Sequence, residues 1–238
     1  MNIALIGYGK MGKAIEKIAL HKGHDVVLRV NDENLKDLTI ENIQKADVAI
    51  EFTIPESAVA NILLCFHAGV PVVCGTTGWL HEKKLIEEKC RKSGGTFLTT
   101  TNFSIGVNIF FEINTNLARL MKSMENYNVQ IEEIHHTQKK DAPSGTAISL
   151  AEQVIENSLQ KTNWANMASD NINELSIISK RIDPAAGTHS VKYSSEVDDI
   201  EIIHTAHNRQ GFAAGALLAA EFIYDKKGIF TMKDVLHF

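Results

Sequence analysis

The chain has 238 residues, 44% of them hydrophobic and 22% charged, with a formal net charge of −5 at pH 7. That length and apolar fraction can bury one large core or two modest ones, and the acidic balance argues against nucleic acid or another polyanion as partner. No apolar run reaches membrane-spanning length, and an apolar strand begins at residue 2 with no room ahead of it for a signal peptide, so a soluble cytoplasmic protein is expected.

Residues 1–12, MNIALIGYGKMG, read as an apolar strand running into Gly7-x-Gly9-x-x-Gly12, with a helix following over 13–21. The glycine pattern alone is a weak signal, but strand before and helix after is the context a dinucleotide-binding turn requires. The first glycine makes the turn, the second admits a pyrophosphate, and the third lets helix and strand pack closely. A second strand over 25–30 leads to Asp32, 20 positions after Gly12, where an acidic side chain binds an adenine ribose. Strands over 47–52, 70–74 and 96–100 then alternate with helices over 56–68 and 81–92, which means βαβ units, a parallel sheet and right-handed crossovers. Two strand ends carry polar loops, Phe52-Thr53-Ile54-Pro55 and Gly75-Thr76-Thr77-Gly78. Ligands of open α/β sheets sit at those ends, so the loops should face the nicotinamide half of a cofactor, although each taken singly reads as a turn. Cys65, Cys74 and Cys90 form no CxxC pattern and read as reduced, buried thiols without a metal or redox role.

A long helix is predicted over 105–124, with Val107, Phe110, Phe111, Ile113, Leu117 and Leu120 near helical spacing and read as core. From residue 128 the period becomes that of a strand, through Val129, Ile131 and Glu132-Glu133-Ile134, which delivers His135 and His136. The stretch 135–147, HHTQKKDAPSGTA, then gathers two imidazoles, two ammonium groups and a helix start. Core-building has no use for such a cluster, because buried charge is unfavourable unless paired or bound to the opposite sign. Ser144 is placed as N-cap, with Ala147, Leu150, Ala151, Val154, Ile155 and Leu159 on one face of the helix that follows. The first backbone N–H groups of that helix, at Gly145 and Thr146, suit an anion, and Gly145 lets it come close. With Lys139 and one histidine near the same point, the stretch reads as a pocket for a small carboxylate-rich molecule with a proton donor beside it. A metal site is disfavoured: neighbouring residues of a strand point to opposite faces, and only Asp141 adds a carboxylate at ligand spacing.

The Asn- and Ser-containing segment 160–173 reads as an exposed loop. Strands over 175–182, 189–195 and 200–206, with no helices between them, imply a mixed or antiparallel sheet covered by the 144–159 helix, an α+β unit distinct from the first domain. His189, His204, His207 and Arg209 stay open between site and ordinary surface or core positions. The segment 212–224 is apolar on most sides and reads as a buried helix, whose packing partner periodicity does not reveal.

In this order, Gly7 to Gly12, Gly75-Thr76-Thr77-Gly78, Asn102-Phe103-Ser104, the 135–147 stretch, Gly187-x-His189 and Phe212-Ala213-x-Gly215-Ala216 make the chain resemble the dihydrodipicolinate reductase family over essentially its whole length. The resemblance implies NAD(P)H-dependent reduction of 4-hydroxy-tetrahydrodipicolinate, via dihydrodipicolinate, to tetrahydrodipicolinate in lysine and diaminopimelate biosynthesis. It implies a Rossmann-type doubly wound parallel sheet from residues 1–104 and 208–238, and an α+β substrate-binding and tetramerisation domain with a mixed sheet from 105–207. The last helix then returns to the first domain, and the enzyme is a homotetramer.

By the same resemblance His135 is the proton donor, Lys139 polarises or anchors the substrate, and His136, Gly145 and Thr146 bind its carboxylates. Gly7, Met11 and Gly12 hold the pyrophosphate, Phe52 and Thr53 the nicotinamide side, Gly75, Thr76 and Thr77 the nicotinamide ribose, and Asn102 and Phe103 the carboxamide region. Relatives that accept a 2′-phosphate well carry a basic residue after the acidic one behind the second strand, whereas Glu33 follows Asp32 here. Both NADH and NADPH are therefore expected to work, with NADH modestly favoured. Another nicotinamide-dependent amino-acid or diaminopimelate dehydrogenase would keep the first domain but lack the His-His-x-x-Lys and Pro-Ser-Gly-Thr pairing. A cofactor-sensing module would have no reason to concentrate proton donors.

Overall fold

The computed structural model describes residues 1–208 and 210–238; Arg209, one of the positions left open above, lies outside the described residues. The chain divides into two compact units, Met1–Ile105 with Gln210–Phe238, and Gly106–Arg209. The first opens with β1 (Asn2–Ile6), α1 (Lys10–His21), β2 (Asp25–Val30), α2 (Ile40–Ile43), β3 (Val48–Glu51), α3 (Pro55–Ala68), β4 (Val72–Cys74), α4 (Lys83–Ser93) and β5 (Thr96–Thr99). There follow α5 (Ile105–Met121), β6 (Asn128–His135), α6 (Gly145–Asn157), β7 (Asn163–Ala165), β8 (Glu174–Arg181), β9 (Thr188–Ser194) and β10 (Asp199–Thr205), and then α7 (Gln210–Ile223), β11 (Gly228–Phe230) and α8 (Met232–Leu236).

In the first unit six strands lie in the order β11-β5-β4-β3-β1-β2, every pairing parallel. Strands β3, β4 and β5 are buried throughout, as a parallel sheet covered on both faces requires. Alternate residues feed two cores. Ile3, Leu5, Val48, Ile50, Val73 and Leu98 meet Ile15 and Ala19 of α1 and Ala216, Leu217 and Ala220 of α7. Ala4, Ile6, Ala49, Val72 and Phe97 meet Ile62, Cys65 and Phe66 of α3 and Ile86 and Cys90 of α4. The apolar C-terminal helix thus belongs to the first unit. The chain leaves β1 first toward β2 and then, from β3 onward, toward the other edge, which makes the C-terminal ends of β1 and β3 the switch point where such sheets bind ligands.

The second unit has five strands in the order β10-β9-β6-β8-β7, antiparallel on one side of β6 and parallel on the other, the mixed sheet expected. One face carries Val129, Ile131, Leu175, Ile177, Val191 and Tyr193, against which α5 sets Phe110 and Ala118 and α6 sets Ala147, Leu150, Ala151 and Val154.

Several expectations need correction. The segment 160–173 is not all loop: β7 lies within it, pairs with β8, and packs Trp164 against the core. Leu159 lies beyond the end of α6 and is 67% exposed, and on α5 Ile113 and Leu120 are 46% and 73% exposed. Leu159 runs past the last turn that the core covers, whereas Ile113 and Leu120 lie on α5 off the face through which Phe110 and Ala118 pack. All three cysteines are free and buried, and burial pushes their thiols upward. Among the described residues no helix is long and apolar enough to cross a membrane.

Candidate functional site

Parallel register brings Ile6, Glu51, Cys74 and Thr99 side by side, so the residues that follow them line one edge of the sheet. Phe52 N–H donates to Ile6 O at 2.8 Å, and Gly75 N–H to Glu51 O at 2.8 Å. Gly7 has φ +98°, and a Cβ there would stand 1.9 Å from Phe52 O, so no side chain fits. A Cβ on Gly75 would enter the Phe52 ring at 2.1 Å. Thr53 N–H donates to Thr76 Oγ1 at 2.8 Å, and the Phe52 and Phe103 rings lie 5.8 Å apart. Asn102 joins them on the loop after β5, its side-chain oxygen accepting from Ser104 N–H at 2.8 Å.

The glycine-rich turn passes a test of fit to a dinucleotide. A Cβ on Gly12 would stand 2.6 Å from Gly7 O, so this glycine serves close packing, whereas one on Gly9 would meet nothing within 4 Å. Helix α1 begins after Gly9 with no side-chain cap and no acidic residue in its first turn, which carries Met11. Open space at a helix start free of negative charge suits an anionic pyrophosphate. Asp32 lies exposed on the turn after β2, as does Glu33, and Thr77 is exposed on its loop. Arg29 is already engaged: its guanidinium pairs with Glu16 and donates to Val26 O at 2.9 Å, while the Tyr8 hydroxyl donates to the same Glu16.

Sequence reasoning passed over Glu51. Its carboxylate is fully buried, accepts the Thr53 N–H at 3.1 Å and the Thr53 hydroxyl, and lies 2.9 Å from the Cys74 sulfur. It therefore braces the loop that carries Thr53. The available signal was an acidic residue closing a strand buried at every position.

In the second unit β6 alternates, so that Val129, Ile131, Glu133 and His135 point inward and are buried, while His136 is half-buried beyond the strand end. Ser144 caps α6 as expected, its hydroxyl accepting from Ala147 N–H at 3.2 Å. Gly145 is exposed, and a Cβ there would meet nothing within 4 Å; Thr146 beside it is half-buried. Lys139 donates to both carboxylate oxygens of Asp141 at 2.9 Å, and this ammonium holds the Asp141 carboxyl below its ordinary range.

Three unassigned groups surround His135. Glu133 is 0% exposed, and its Oε2 stands 3.3 Å from His135 Nδ1 and 3.8 Å from His189 Nε2. The His135 approach is an ion-pair distance without hydrogen-bond alignment, and Nδ1 has no hydrogen-bond partner among the described residues. Ser144 N–H donates to both Glu133 oxygens at 3.1 Å, and Arg181 Nη2 donates to Oε1 at 3.3 Å. Burial pushes the Glu133 carboxyl upward, but the His135 ring beside it and hydrogen bonds from Ser144 and Ser179 outweigh it and hold the group ionised. Arg181 also donates to the carbonyls of Lys139 at 3.3 Å and Asp141 at 2.5 Å, pinning the lysine loop.

His189 is buried edge-on to His135, ring centroids 5.0 Å apart, with Nε2 3.1 Å from Ser144 Oγ. Burial first, and then the charge on His135, lower it to about 4, so it is neutral at pH 7 and shares a hydrogen bond with the Ser144 hydroxyl. His189 thus belongs to this cluster, whereas His204 is half-buried beside the Phe110 ring and His207 is exposed. The signal for Glu133 was an acid on the inward phase of an apolar strand. Arg181 gave none, since only the β6–β8 register sets it opposite His135.

Among the described residues, Glu133, His135 and His189 form one cluster of metal-ligating type, with donor atoms within 4.8 Å of one another. The Glu133 charge is already matched there by Arg181 and Ser144 N–H, so the donor set does not favour a metal cation.

Comparison with known proteins bears on both units. Residues 1–103 match the family model described as dihydrodipicolinate reductase, N-terminus, and residues 106–236 that described as dihydrodipicolinate reductase, C-terminus. The chain is 49% identical to the 4-hydroxy-tetrahydrodipicolinate reductase of Christiangramia forsetii, with 99% of this chain and 98% of that protein covered. It is 35% identical to the enzyme of the same name from Methanopyrus kandleri, with 95% and 86% covered. Among solved structures, dipicolinate-bound dihydrodipicolinate reductase from Paenisporosarcina sp. TG-14 is similar in fold at TM-score 0.76 and 23% identity, with 97% of each chain covered.

Proposed function

Because the chain belongs to the dihydrodipicolinate reductase family, whose members are nicotinamide-dependent oxidoreductases of lysine and diaminopimelate biosynthesis, we propose that it reduces 4-hydroxy-tetrahydrodipicolinate, via dihydrodipicolinate, to tetrahydrodipicolinate. The match over 106–236 favours this reaction over that of another amino-acid or diaminopimelate dehydrogenase, which would share only the nucleotide unit. The observation that carries the division of labour is a buried histidine, His135, in the same unit as a helix start opened by Gly145.

In this reading the first unit holds the cofactor and the second the substrate. Gly7, Met11 and Gly12 take the pyrophosphate at the start of α1, Asp32 the adenine ribose, and Phe52, Thr53, Gly75, Thr76, Thr77, Asn102 and Phe103 the nicotinamide half. A reduced nicotinamide held by these residues would supply the hydride for reduction of the conjugated carbon of the substrate ring. His136, Gly145 and Thr146 bind the two substrate carboxylates, and Lys139 exchanges Asp141 for one of them, since a bound carboxylate is the same kind of partner. His135 gives the enamine its proton, the general-acid role that a protonated imidazole can fill. NADH is preferred modestly over NADPH because Asp32 and Glu33 face a 2′-phosphate while Arg29 is engaged by Glu16. The proposed assembly is a cytoplasmic homotetramer, which rests on the family resemblance.

The test is oxidation of reduced nicotinamide with the unstable substrate generated in situ by dihydrodipicolinate synthase. His135→Ala should lose mainly turnover, by about 10²–10⁴-fold as for a general acid, and Lys139→Ala should lose turnover and substrate affinity together. Wild-type turnover by His135→Ala at saturating substrate would remove the proton-donor assignment.

A further inference from the structure

We propose that Glu133 is a positioning residue for the reaction: its buried carboxylate holds His135 by the Nδ1 edge, so that Nε2 is the nitrogen that delivers the proton. The inference rests on the reading of His135 as proton donor and extends it to a named atom and a named support.

Both edges of the ring point to the same assignment. On one side Glu133 Oε2 lies 3.3 Å from Nδ1, which has no hydrogen-bond partner among the described residues. Glu133 and His135 are two apart on β6, so the pleat aims both inward from the same face. On the other side is Gly187, where a Cβ would press on the ring at 3.2 Å from Nε2 and 3.3 Å from Cδ2. With φ +152°, this position also disfavours any other residue. Gly187 thus sets no side chain against Nε2, while Nδ1 faces a fixed anion.

The carboxylate itself is fixed by groups from three elements. Ser144 N–H at the start of α6 reaches both oxygens, Arg181 of β8 reaches one, and His189 of β9 approaches the other from 3.8 Å. His189, neutral and hydrogen-bonded to the Ser144 hydroxyl, stands 3.8 Å from this anion, farther than His135 at 3.3 Å. Because Ser144 caps the helix that begins at Gly145, and Arg181 holds the carbonyls of Lys139 and Asp141, one carboxylate ties the proton donor to both proposed anion-binding segments. In the step itself the Nε2–H bond breaks, a C–H bond forms on the enamine, and the imidazole is left neutral with its remaining proton on Nδ1 toward Glu133. Glu133 stays ionised throughout and exchanges no proton.

Two measurements test this, the first without any change to the protein or need of activity. Long-range ¹⁵N–¹H correlation spectra of the wild-type side chain should place the proton of neutral His135 on Nδ1; a proton on Nε2 overturns the proposal whatever the substrate proves to be. The second is a double-mutant cycle on turnover and Michaelis constant. Glu133→Gln should lower kcat by about 10–100-fold, within the contribution of the general acid itself, and change KM much less. Placed in the His135→Ala background it should lower kcat no further, because its effect passes through the imidazole. A kcat for Glu133→Gln within about twofold of wild type, or an equal loss in both backgrounds, overturns the positioning role.

Discussion

Glu16→Gln tests how the nucleotide unit discriminates at the adenine ribose. Glu16 accepts the Tyr8 hydroxyl and pairs with the Arg29 guanidinium. Burial opposes its ionisation, but these two partners prevail and hold its carboxyl below the ordinary range. Glutamine preserves the size and an acceptor oxygen for Tyr8 while removing the charge. Arg29 then keeps only its bond to Val26 O and becomes available to a 2′-phosphate, although Asp32 and Glu33 continue to repel one. The Arg29 side chain is 41% exposed, so solvent screens its attraction to Glu16 and, in the variant, its attraction to a phosphate. An ion pair of that kind is worth about 1 kcal/mol or less, which is roughly fivefold in an equilibrium constant. The ratio of kcat/KM for NADPH to that for NADH should therefore rise by up to about fivefold at low salt and fall back at high salt, while kcat/KM for NADH stays unchanged. A ratio that does not move at low salt, or one that rises and ignores salt, would refute the argument that Glu16 sequesters the cation.

Two further outcomes follow from the second unit. The native His189 titrates at about 4 against an ordinary value of 6.5, so between those values the unfolded chain binds more protons. Its contribution is complete above pH 6.5 and is lost as pH falls toward 4, by roughly 3 kcal/mol at about 1.4 kcal/mol per pH unit. Denaturant midpoints should decline more steeply from pH 6.5 to pH 4.5 in the wild type than in His189→Gln, and parallel slopes would discard this account. A side chain at Gly145 meets nothing within 4 Å, so Gly145→Val should leave the melting temperature nearly unchanged while raising KM for the imine and weakening competition by pyridine-2,6-dicarboxylate. An unaltered KM would show that no carboxylate approaches that helix start.

The nucleotide unit was legible because its strands are short apolar runs divided by helices of helical period, and because Gly7 and Gly12 can be nothing else: the space a Cβ would need is filled by Phe52 O and by Gly7 O respectively. The cap at Ser144 was legible for a local reason too, since the hydrogen bond to Ala147 N–H spans three residues. What escaped was non-local or too short for periodicity. Strand β7 is three residues in a polar segment and exists through its pairing with β8. Strand β11 likewise depends on β5, from which it is separated by the whole second unit. Around His135 the local motif announced the proton donor and the lysine, but Arg181 reaches Glu133 only through the alignment of two strands. Leu120 and Ile113 show the opposite error, a helical repeat read as burial on a face that the unit leaves open.

The return of α7 and β11 to the first sheet bears on the order in which the protein is made. The face bearing Ile3, Leu5, Val48 and Ile50 is joined by Ala213, Ala216, Leu217 and Ala220 only after residues 106–209 have been synthesised, and until β11 arrives β5 keeps an open parallel edge. The second unit is contiguous in the chain and has no such dependence on later residues. During translation the unit encoded first is thus the one completed last: its N-terminal portion waits with one apolar face partly bare and one strand edge unpaired, the two features that invite self-association of a nascent chain. A ribosome stalled short of residue 213 would carry a finished inserted unit on an unfinished host.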